Sequence, residues 1–307
     1  MRTTTSAVAA FGAAALLLSG CGSDSLDDSK DSGSGGSSSS SSAAPAVKKD
    51  DALAKLVPAD IAKMGTLTVG TDASYAPNEF TAADGKTIQG MDVDLLKAVA
   101  AKLGLKLTFQ NGGFDSLIGG VTSNKYPLAI SSFTINEKRM QQVSMVQYFN
   151  AGTSWATAKG NPKKVDVDKA CGLTIGVQKG TVQADDDLPA RNKKCVAEGK
   201  KANKLVVEAE QSKVTADLIA GKVDAFAADS PITAWAVAKN EDKLEKVGSV
   251  YEAAPYGIVV AKDQTKFAEA LSKALESLEK DGTYKKILEQ WNNGDGAVNE
   301  FPVNPKA

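Results

Sequence analysis

Short apolar runs and helix-period stripes alternate along most of the chain. The first part of this pattern predicts strands at Leu67–Val69, Leu105–Phe109 and Leu128–Ile130, and helices at 95–103, Phe114–Val121 and from about Glu137. In the first of these helices the apolar residues recur at spacings of three and four, which is typical of one buried helix face. Strand, helix and strand in this order predict parallel strands in a sheet covered by helices.

The same pattern restarts in the second half and predicts another α/β unit. Its strands are expected at Leu173–Val177, Leu205–Val207 and Val223–Ala227, and its helices at Val214–Ala220 and from Pro231. A last strand at Gly257–Ala261 precedes a helix with one apolar face. That face consists of Phe267, Ala270, Leu271, Ala274, Leu275 and Leu278. Gly282 interrupts the period, and a short helix resumes it at Tyr284, Ile287, Leu288 and Trp291.

The first twenty residues have the layout of a secretory signal peptide. Arg2 precedes an apolar run, Ala7–Leu18, which is shorter than the roughly 20 residues that span a bilayer. The run ends in Leu18, Ser19, Gly20 and Cys21, which resembles the lipobox of bacterial lipoproteins. The resemblance implies that residues 1–20 are a lipoprotein signal peptide and that Cys21 carries a lipid. The alternative is a chance cysteine behind an ordinary signal peptide.

Residues 21–51 are predicted to be a lipid-anchored, disordered linker. Serine, glycine, aspartate and lysine dominate this stretch, which includes an unbroken serine run at Ser37–Ser42. About 30 such residues have a root-mean-square reach on the order of 30 Å. We therefore expect an extracytoplasmic body that is anchored to the cell membrane through Cys21 and stays close to a membrane-embedded partner.

Composition and charge exclude several classes of function. The chain has no histidine, so Ser/His/Asp and Cys/His catalysis and histidine metal sites are excluded. The formal net charge is −1, which gives no reason to expect nucleic-acid binding. Cys171 and Cys195 belong to an exported chain and are predicted to form a disulfide; a metal site or a reactive redox pair is the weaker alternative. We expect no cofactor and no metal.

The segment from Ser131 to Arg139 has the layout of a trap for a small carboxylate. It reads as a hydroxyl-rich turn that leaves a buried strand and enters a helix with Asn136 as its N-cap, which places Arg139 on the first helical turn. An anion there would meet free backbone N–H groups, the helix dipole and a guanidinium that can bind two oxygens. The alternative is an exposed arginine beside a capped helix.

Seven short motifs along the chain resemble those of the polar amino-acid group of bacterial extracellular solute-binding proteins, which serve ABC importers. The resemblance covers about Leu67 to Trp291. The motifs are 69–72 with 75–77, 90–95, Phe114 and Asp115 with Leu117, 131–139, 176–177 with 179–181, Asp224 and Ala225 with Asp229 and Ser230, and 281–284. No single motif is specific, whereas their common order and spacing are.

The resemblance implies a two-lobe α/β fold of the periplasmic-binding-protein type. Each lobe would be a mixed sheet flanked by helices, and a two-segment hinge near Ala151–Thr153 and Ala254–Gly257 would join the lobes around a ligand cleft. The expected boundaries are 52–151 for the first part of lobe 1, 152–255 for lobe 2 and 256–307 for the return to lobe 1. Closure of such a hinge requires ligand contacts from both lobes.

The resemblance also implies roles for particular residues. Arg139 would bind the ligand α-carboxylate, with help from Thr134 and from the backbone N–H of Thr134 or of Thr181 and Val182 across the cleft. Asp229 would face the α-ammonium, because a buried zwitterion needs an opposite charge at each end. The alternative for Asp229 is that it merely caps the helix that starts at Pro231.

The remaining contacts would surround the ligand side chain. Ser132 would offer a backbone carbonyl to the ammonium, and Ser131 a hydroxyl nearer the side chain. Tyr75 and Phe114 would be aromatic walls, or else ordinary core aromatics. Departures from the family pattern are Pro127, Val182, which lacks a hydroxyl, and Asn78, which with Glu79 is expected to make the entrance more polar. The cluster of Asp72, Glu79 and Gln178 favours a basic or amide side chain, although Asp72 could instead only order its loop.

Three functions remain open at this point. The first is a lipid-anchored receptor, expected to be a monomer, that captures a polar or charged L-amino acid and delivers it to an ABC transporter permease. The second is a dehydratase-type enzyme on the same scaffold, for which Glu79 is the candidate general acid or base. The third is a sensory lipoprotein. Since Arg139 and Asp229 suit a zwitterion, the prediction is a binding protein and not an enzyme.

Overall fold

A computed structural model describes residues 47–306. Its strands are β1 (Thr66–Thr71), β2 (Ser74–Tyr75), β3 (Glu79–Thr81), β4 (Ile88–Gln89), β5 (Lys106–Asn111), β6 (Leu128–Thr134), β7 (Val143–Ala158), β8 (Thr174–Gln178), β9 (Lys204–Glu208), β10 (Ala225–Asp229) and β11 (Leu244–Ala261). Its helices are α1 (Asp51–Ala54), α2 (Ala59–Lys63), α3 (Met91–Leu103), α4 (Phe114–Thr122), α5 (Glu137–Met140), α6 (Leu188–Ala197), α7 (Gln211–Ile219), α8 (Ser230–Lys239), α9 (Thr265–Lys280) and α10 (Thr283–Gln290). A π-helical turn at Gln183–Asp187 leads into α6.

The larger of two sheets has eight strands in the order β5-β1-β6-β11-β7-β10-β8-β9, and β2-β3-β4 form a small antiparallel sheet. Strand β1 pairs in parallel with β5 and β6, and β8 pairs in parallel with β9 and β10. The two long strands, β7 and β11, pair with their neighbours in antiparallel fashion. The prediction of an α/β fold with mixed sheets and helices on them is confirmed.

Helices pack on each end of the large sheet and divide the body into two halves. The first half contains β1, β5 and β6 with α3, α4, α9 and α10, and the second half contains β8, β9 and β10 with α6, α7 and α8. Helix α9 shows why these elements form: all six residues of its predicted apolar face are buried in the core of the first half. Burial of such a face supplies most of the stability of a helix in a protein.

Strands β7 and β11 connect the two halves and pair with each other. Both predicted crossing segments, Ala151–Thr153 and Ala254–Gly257, lie within these strands. The pairing shifts register between Val247 and Tyr251, and again between Tyr251 and Ala254. The lobe boundaries and the hinge itself stay predictions.

Two elements are longer than the sequence predicts. Strand β6 continues through Ser131–Thr134, so this segment is a strand and not the expected turn. At its end β6 pairs with β11, Phe133 lying opposite Gly257 and Thr134 opposite Tyr256, and the register of this pairing shifts at Ser131 and Ser132. Strand β11 begins at Leu244, thirteen residues before the predicted start at Gly257.

The chain is already in contact with the body at the start of the described part. Val47 packs against the core of the first half, and the backbone N–H of Asp50 donates to the carbonyl of Lys102 at 2.9 Å. This contact lies inside the predicted linker 21–51. The predicted signal peptide, Cys21 and the serine run lie outside the described residues. Within 47–306, no helix is long and apolar enough to cross a membrane.

Side-chain contacts stabilise the fold in addition to the hydrogen bonds of the sheet. Cys171 and Cys195 form the predicted disulfide, which joins the segment before β8 to α6. Phe80 of β3 lies between two indoles, with ring centroids 6.1 Å from Trp235 of α8 and 5.9 Å from Trp291 after α10. This aromatic contact links the small sheet to a helix of the second half.

Candidate functional site

Arg139 is placed by a capped helical turn directly after β6. The side chain of Asn136 accepts a hydrogen bond from the backbone N–H of Arg139 at 2.9 Å, so the predicted N-cap is confirmed. The guanidinium is buried, contrary to the alternative of an exposed arginine. Its Nη1 donates to the carbonyl of Thr134 at 2.8 Å, and its Nη2 donates to the carbonyl of Gly180 in the second half at 3.1 Å.

Two aromatic rings and a distant carboxylate define the surroundings of this cation. The guanidinium carbon lies 5.4 Å from the centroid of the Phe114 ring and 5.8 Å from that of Phe133. Burial lowers the pKa of Arg139, while the negative charge of Asp229 acts in the opposite direction. Because an arginine stays protonated in proteins, the site contains a permanent buried positive charge.

Asp229 lies at the end of β10, at the N-cap position of α8, but its side chain does not cap that helix. Its Oδ1 accepts from Nε2 of Gln183 at 2.8 Å, and its Oδ2 accepts from the hydroxyl of Tyr256 at 2.6 Å. Burial raises the pKa of Asp229, and the hydrogen bonds and the charge of Arg139 oppose that rise. Each carboxylate oxygen can still accept another donor.

A narrow cavity lies between the two halves and brings the predicted residues together. Its lining contains Asp72, Tyr75, Phe114, Ser131, Ser132, Thr134, Arg139, Gln178, Thr181, Val182, Gln183 and Asp229. Eleven of these are the residues selected from the sequence, and Gln183 is the addition. The wall of this cavity contains one cation and two carboxylates, which are suitable partners for a small molecule with charges of both signs.

Asp72 and Gln178 meet across the cavity. Oδ1 of Asp72 accepts from the backbone N–H and the hydroxyl of Ser74, at 3.1 and 2.6 Å. Oδ2 accepts from the backbone N–H of Phe114 at 2.9 Å and from Nε2 of Gln178 at 3.0 Å. Asp72 thus both orders its own loop and contacts the opposite wall. Burial raises the pKa of its carboxyl.

The two predicted aromatic walls belong to buried clusters and to the cavity at the same time. Phe114 stacks on Phe133 with ring centroids 5.0 Å apart. The hydroxyl of Tyr75 accepts from the backbone N–H of Asp229 at 3.3 Å, which links the first half to the second. The two interpretations of these rings, as core aromatics and as cavity walls, therefore both apply.

The residues after β8 offer backbone donors. The hydroxyl of Thr181 donates to the carbonyl of Gln178 at 2.7 Å and accepts from the backbone N–H of Ala184 at 3.3 Å. Within residues 47–306, the backbone N–H groups of Thr181 and Val182 donate no hydrogen bond. Donors of this kind beside a cation suit a carboxylate.

The comparisons with known proteins agree with this geometry. Residues 67–294 match the profile of bacterial extracellular solute-binding proteins, family 3. The chain belongs to this family. It is 34% identical to the arginine-binding protein ArgT of Corynebacterium glutamicum, over 81% of each chain. It is also 30% identical to the lysine/arginine/ornithine-binding periplasmic protein of Escherichia coli K12, over 74% of this chain and 87% of the relative.

Solved structures show the same fold for this family 3 solute-binding protein. An ancestral arginine-binding protein bound to arginine superposes with a TM-score of 0.67 at 35% identity, covering 74% of this chain and 98% of the other. An ancestral amino-acid-binding protein described as a precursor of cyclohexadienyl dehydratase superposes with a TM-score of 0.65 at 28% identity, covering 76% and 97%. These structures show that the chain has the two-lobe fold. The family to which it belongs consists of extracytoplasmic proteins.

Two polar residues of the solute-binding protein lie elsewhere than expected. Asn78 and Glu79 are fully buried and do not line the cavity, so the expectation that they make the entrance polar is wrong. In the small sheet Glu79 pairs with Tyr75, and its carboxyl accepts from the hydroxyl of Ser131 at 3.0 Å. Ser131 thus directs its proton toward Glu79 and not toward the cavity.

Sequence reasoning missed two residues that hold Asp229 in this solute-binding protein. Gln183 donates from Nε2 both to Asp229 and to the hydroxyl of Thr153 at 3.0 Å. Tyr256 lies inside the predicted second crossing segment, which could have drawn attention to it. Gln183 follows directly after Thr181 and Val182, but its π-helical turn has no recognisable pattern in the sequence. Among the described residues no cluster of acidic or cysteine side chains could hold a metal ion.

Proposed function

We propose that this protein is a lipid-anchored receptor that captures a basic L-amino acid, L-arginine foremost, and delivers it to the permease of an ABC importer. Family membership and the amino-acid-binding relatives support capture of an amino acid. The names of two relatives and of one solved neighbour specify arginine. The cavity also supports L-arginine as the ligand, because it offers one set of contacts to each of the three charged groups of L-arginine.

The observation that carries the proposal is a buried cation without a partner of opposite charge. Arg139 is 8% exposed, and within residues 47–306 it forms no ion pair with any carboxylate. A buried charge without a counter-charge is costly, by several kcal/mol in real proteins. A ligand carboxylate bound between the guanidinium and the free N–H groups of Thr181 and Val182 removes that cost.

The other two ligand charges have acceptors at suitable places. Asp229 offers the remaining lone pairs of its carboxylate to the α-ammonium. Asp72 is the second carboxylate in the cavity wall, and a cationic side chain would replace the amide of Gln178 as the donor to its Oδ2. Tyr75 and Phe114 offer ring faces to the aliphatic part and to a planar guanidinium.

Anchoring and delivery complete the proposal. The lipobox at 18–21 supports lipidation of Cys21, and the following serine-rich residues support a tether at the outer face of the membrane. The expected lobes, 52–151 with 256–307 and 152–255, would close around the ligand because each contributes charges to it. We propose that the receptor acts as a monomer, since each chain contains all the cavity residues.

A thermal-shift screen against the twenty L-amino acids tests the proposal. L-Arginine at 100 times its Kd is expected to stabilise the protein by about 2.7 kcal/mol. Agmatine, which lacks the carboxylate, and Arg139→Ala with L-arginine are expected to give no shift. If no amino acid raises the melting temperature, the proposal is wrong; if agmatine shifts it as strongly as L-arginine, the assignment of Arg139 is wrong.

The two other functions receive less support. A dehydratase needs a general acid or base at the ligand, yet Glu79, its candidate, lies behind the cavity wall. A sensory lipoprotein would bind the same ligand without transport. Stimulation of the cognate transporter ATPase by the loaded receptor in proteoliposomes distinguishes transport from sensing.

A further inference from the structure

Two carboxyl groups, those of Glu79 and Asp92, lie together behind the part of β6 that lines the cavity. Both residues are completely buried. Their approach depends on the start of α3, where the backbone N–H groups of Met91 and Asp92 donate to the carbonyls of Pro77 and Asn78 at 3.0 and 2.9 Å. Gly90 permits this contact, because its φ is +139° and a Cβ there would overlap the carbonyl of Asn78.

The hydrogen bonds around this acid pair come from hydroxyl and backbone donors. Oδ2 of Asp92 accepts from the hydroxyl of Tyr148 at 2.6 Å and from the backbone N–H of Ser132 at 3.0 Å. Oε1 of Glu79 accepts from the hydroxyl of Ser131 at 3.0 Å. Oδ1 of Asp92 is buried and receives no hydrogen bond from any N–H or hydroxyl group of the described residues.

Among residues 47–306, no positive charge faces the acid pair. The titratable groups around it are Asp72 at the end of β1, Tyr75 on β2 and Tyr148 on β7, all acidic or neutral. In the part of the chain that the structure describes, neither carboxyl forms an ion pair, and the nearby Lys97 approaches Asp94 instead. Two ionised carboxylates in contact would therefore repel each other without compensation.

We propose that Glu79 and Asp92 share one proton, with Glu79 as the donor, and that this proton positions Ser131 and Ser132 in the wall of the ligand cavity. A protonated Glu79 supplies the O–H group that Asp92 still lacks. The hydroxyl of Ser132 lies 3.4 Å from Oε2 of Glu79 and 3.3 Å from Oδ2 of Asp92, so the two carboxyls lie side by side, close enough for a mutual hydrogen bond. Burial raises the pKa of Glu79 well above its usual range and raises that of Asp92 to about 6.

The link to the ligand runs through two adjacent serines. The hydroxyl of Ser131 accepts from the backbone N–H of Asp72 at 3.0 Å, so Glu79 orients Asp72 as well. Ser132 has a left-handed backbone with φ of +52°, and its N–H is held by Asp92. Left-handed conformations of non-glycine residues persist only where the surroundings hold them. Glu79 and Asp92 are thus positioning residues for the cavity.

The first experiment detects the proton directly and needs no ligand. An infrared spectrum of the full protein in D₂O at pH 7 is expected to contain the C=O band of a protonated, buried carboxyl. That band is expected to disappear in Glu79→Gln and to persist in the matched control Asp94→Asn, which removes a neighbouring carboxyl of α3. Absence of the band in the wild-type protein would overturn the proposal.

The second experiment measures the effect on L-arginine affinity as a function of pH, and this arm rests on the proposed function. Glu79→Ala is expected to weaken binding about tenfold at neutral pH, whereas Glu79→Gln, whose amide can replace the shared O–H, is expected to restore it. At alkaline pH the wild-type affinity is expected to fall further than that of Glu79→Gln. Titration of the ligand ammonium affects both proteins equally.

The two arms separate the possible failures. If L-arginine does not bind but the infrared band is present, the proposed ligand is wrong and the shared proton stands. If the band is present but Glu79→Gln and the wild type have the same pH dependence of affinity up to the pH at which the protein unfolds, the proton has no role in positioning. Loss of folding in Glu79→Ala leaves the comparison with Glu79→Gln intact.

Discussion

Single residues in the cavity are held by groups from the opposite half of the body. Arg139 follows β6 and donates to Gly180 in the second half, whereas Asp229 ends β10 and receives the hydroxyl of Tyr256 from β11. Each charge is therefore oriented in part by a group outside the cavity lining. We expect substitutions at the two charges to affect affinity far more than stability.

Asp229→Asn tests this expectation at the ammonium end. The amide keeps the shape of the side chain but removes the charge that compensates a buried ammonium, a change that typically costs at least about 2 kcal/mol, or roughly 30-fold in Kd. Isothermal titration with L-arginine measures the loss. Asp224→Asn is the matched control, because Asp224 precedes the same strand and bonds to Thr174 away from the cavity. Equal losses in both variants would contradict the assignment.

The sequence allowed Arg139 and Asp229 to be found but not Gln183 or the position of Glu79. The first two occupy ends of elements, where side chains of a parallel sheet converge and a motif can be recognised. Gln183 depends on a π-helical turn, and Glu79 on the pairing of two very short strands. Such local geometry is determined by tertiary contacts that no periodicity in the sequence records.

Among the elements, the short helix α5 depends most on its cap. A helix of four residues has little internal stability, so the hydrogen bond between Asn136 and the N–H of Arg139 fixes the direction in which Arg139 leaves the backbone. An equivalent cap exists at Asp50, whose side chain accepts from the backbone N–H groups of Ala52 and Leu53 in α1. The cap at Asn136 lies beside Arg139 in the cavity wall, whereas no residue of α1 lines the cavity.

Asn136→Ala and Asp50→Ala are therefore a matched pair. Each is expected to lower the free energy of unfolding by about 1 kcal/mol, which is the usual effect of losing an N-cap. Only Asn136→Ala is expected to weaken L-arginine binding as well, by about three- to tenfold. Urea unfolding and calorimetric titration measure the two effects, and unchanged affinity in Asn136→Ala would show that α5 does not position Arg139.

Helices were predicted more accurately than strand ends. The stripe of α9 specifies its face and length, because every apolar residue must be buried on one side. Ser131–Thr134 contains three hydroxyl-bearing residues, which are typical of a turn, yet the segment continues β6, and its last two residues pair with β11. A strand that is buried on both faces has no alternation of polar and apolar residues, so periodicity cannot identify this part of β6.

In the whole molecule, contacts across the cavity connect the two halves at its rim. Lys179, directly after β8, forms an ion pair with Asp115 of α4 at 2.7 Å, and the backbone N–H of Gln211 in α7 donates to the hydroxyl of Ser74 at 3.1 Å. These contacts exist only when the halves are together. They favour the same arrangement as a ligand that touches both walls.

Lys179→Ala is expected to weaken L-arginine binding slightly and to remove part of its salt dependence. Because the Lys179 side chain is 62% exposed, solvent screens the ion pair, and the loss is expected to be no more than about fivefold in Kd. Lys273→Ala is the control, since Lys273 pairs with Glu276 within α9. Titrations at low and high salt distinguish them, and an equal response would mean that the rim ion pair does not favour the bound arrangement.

The overall α/β fold followed from the sequence, since repeated strand and helix patterns leave few arrangements of parallel strands. The pairing of β7 with β11 along most of their length could not be predicted from the sequence, because it joins residues about a hundred positions apart. Lipidation of Cys21 and the lobe boundaries remain predictions.

The contact of Phe80 with Trp235 and Trp291 should make the intrinsic tryptophan fluorescence of the protein sensitive to the arrangement of its two halves. Trp155 is buried inside the second half, whereas the indole of Trp235 lies against a ring of the small sheet. Movement of the second half away from the first would separate Trp235 from Phe80, whereas the contacts of Trp155 lie within the second half. Intrinsic fluorescence can therefore report separation of the halves in the unlabelled protein, with Trp235→Phe as the silent reference.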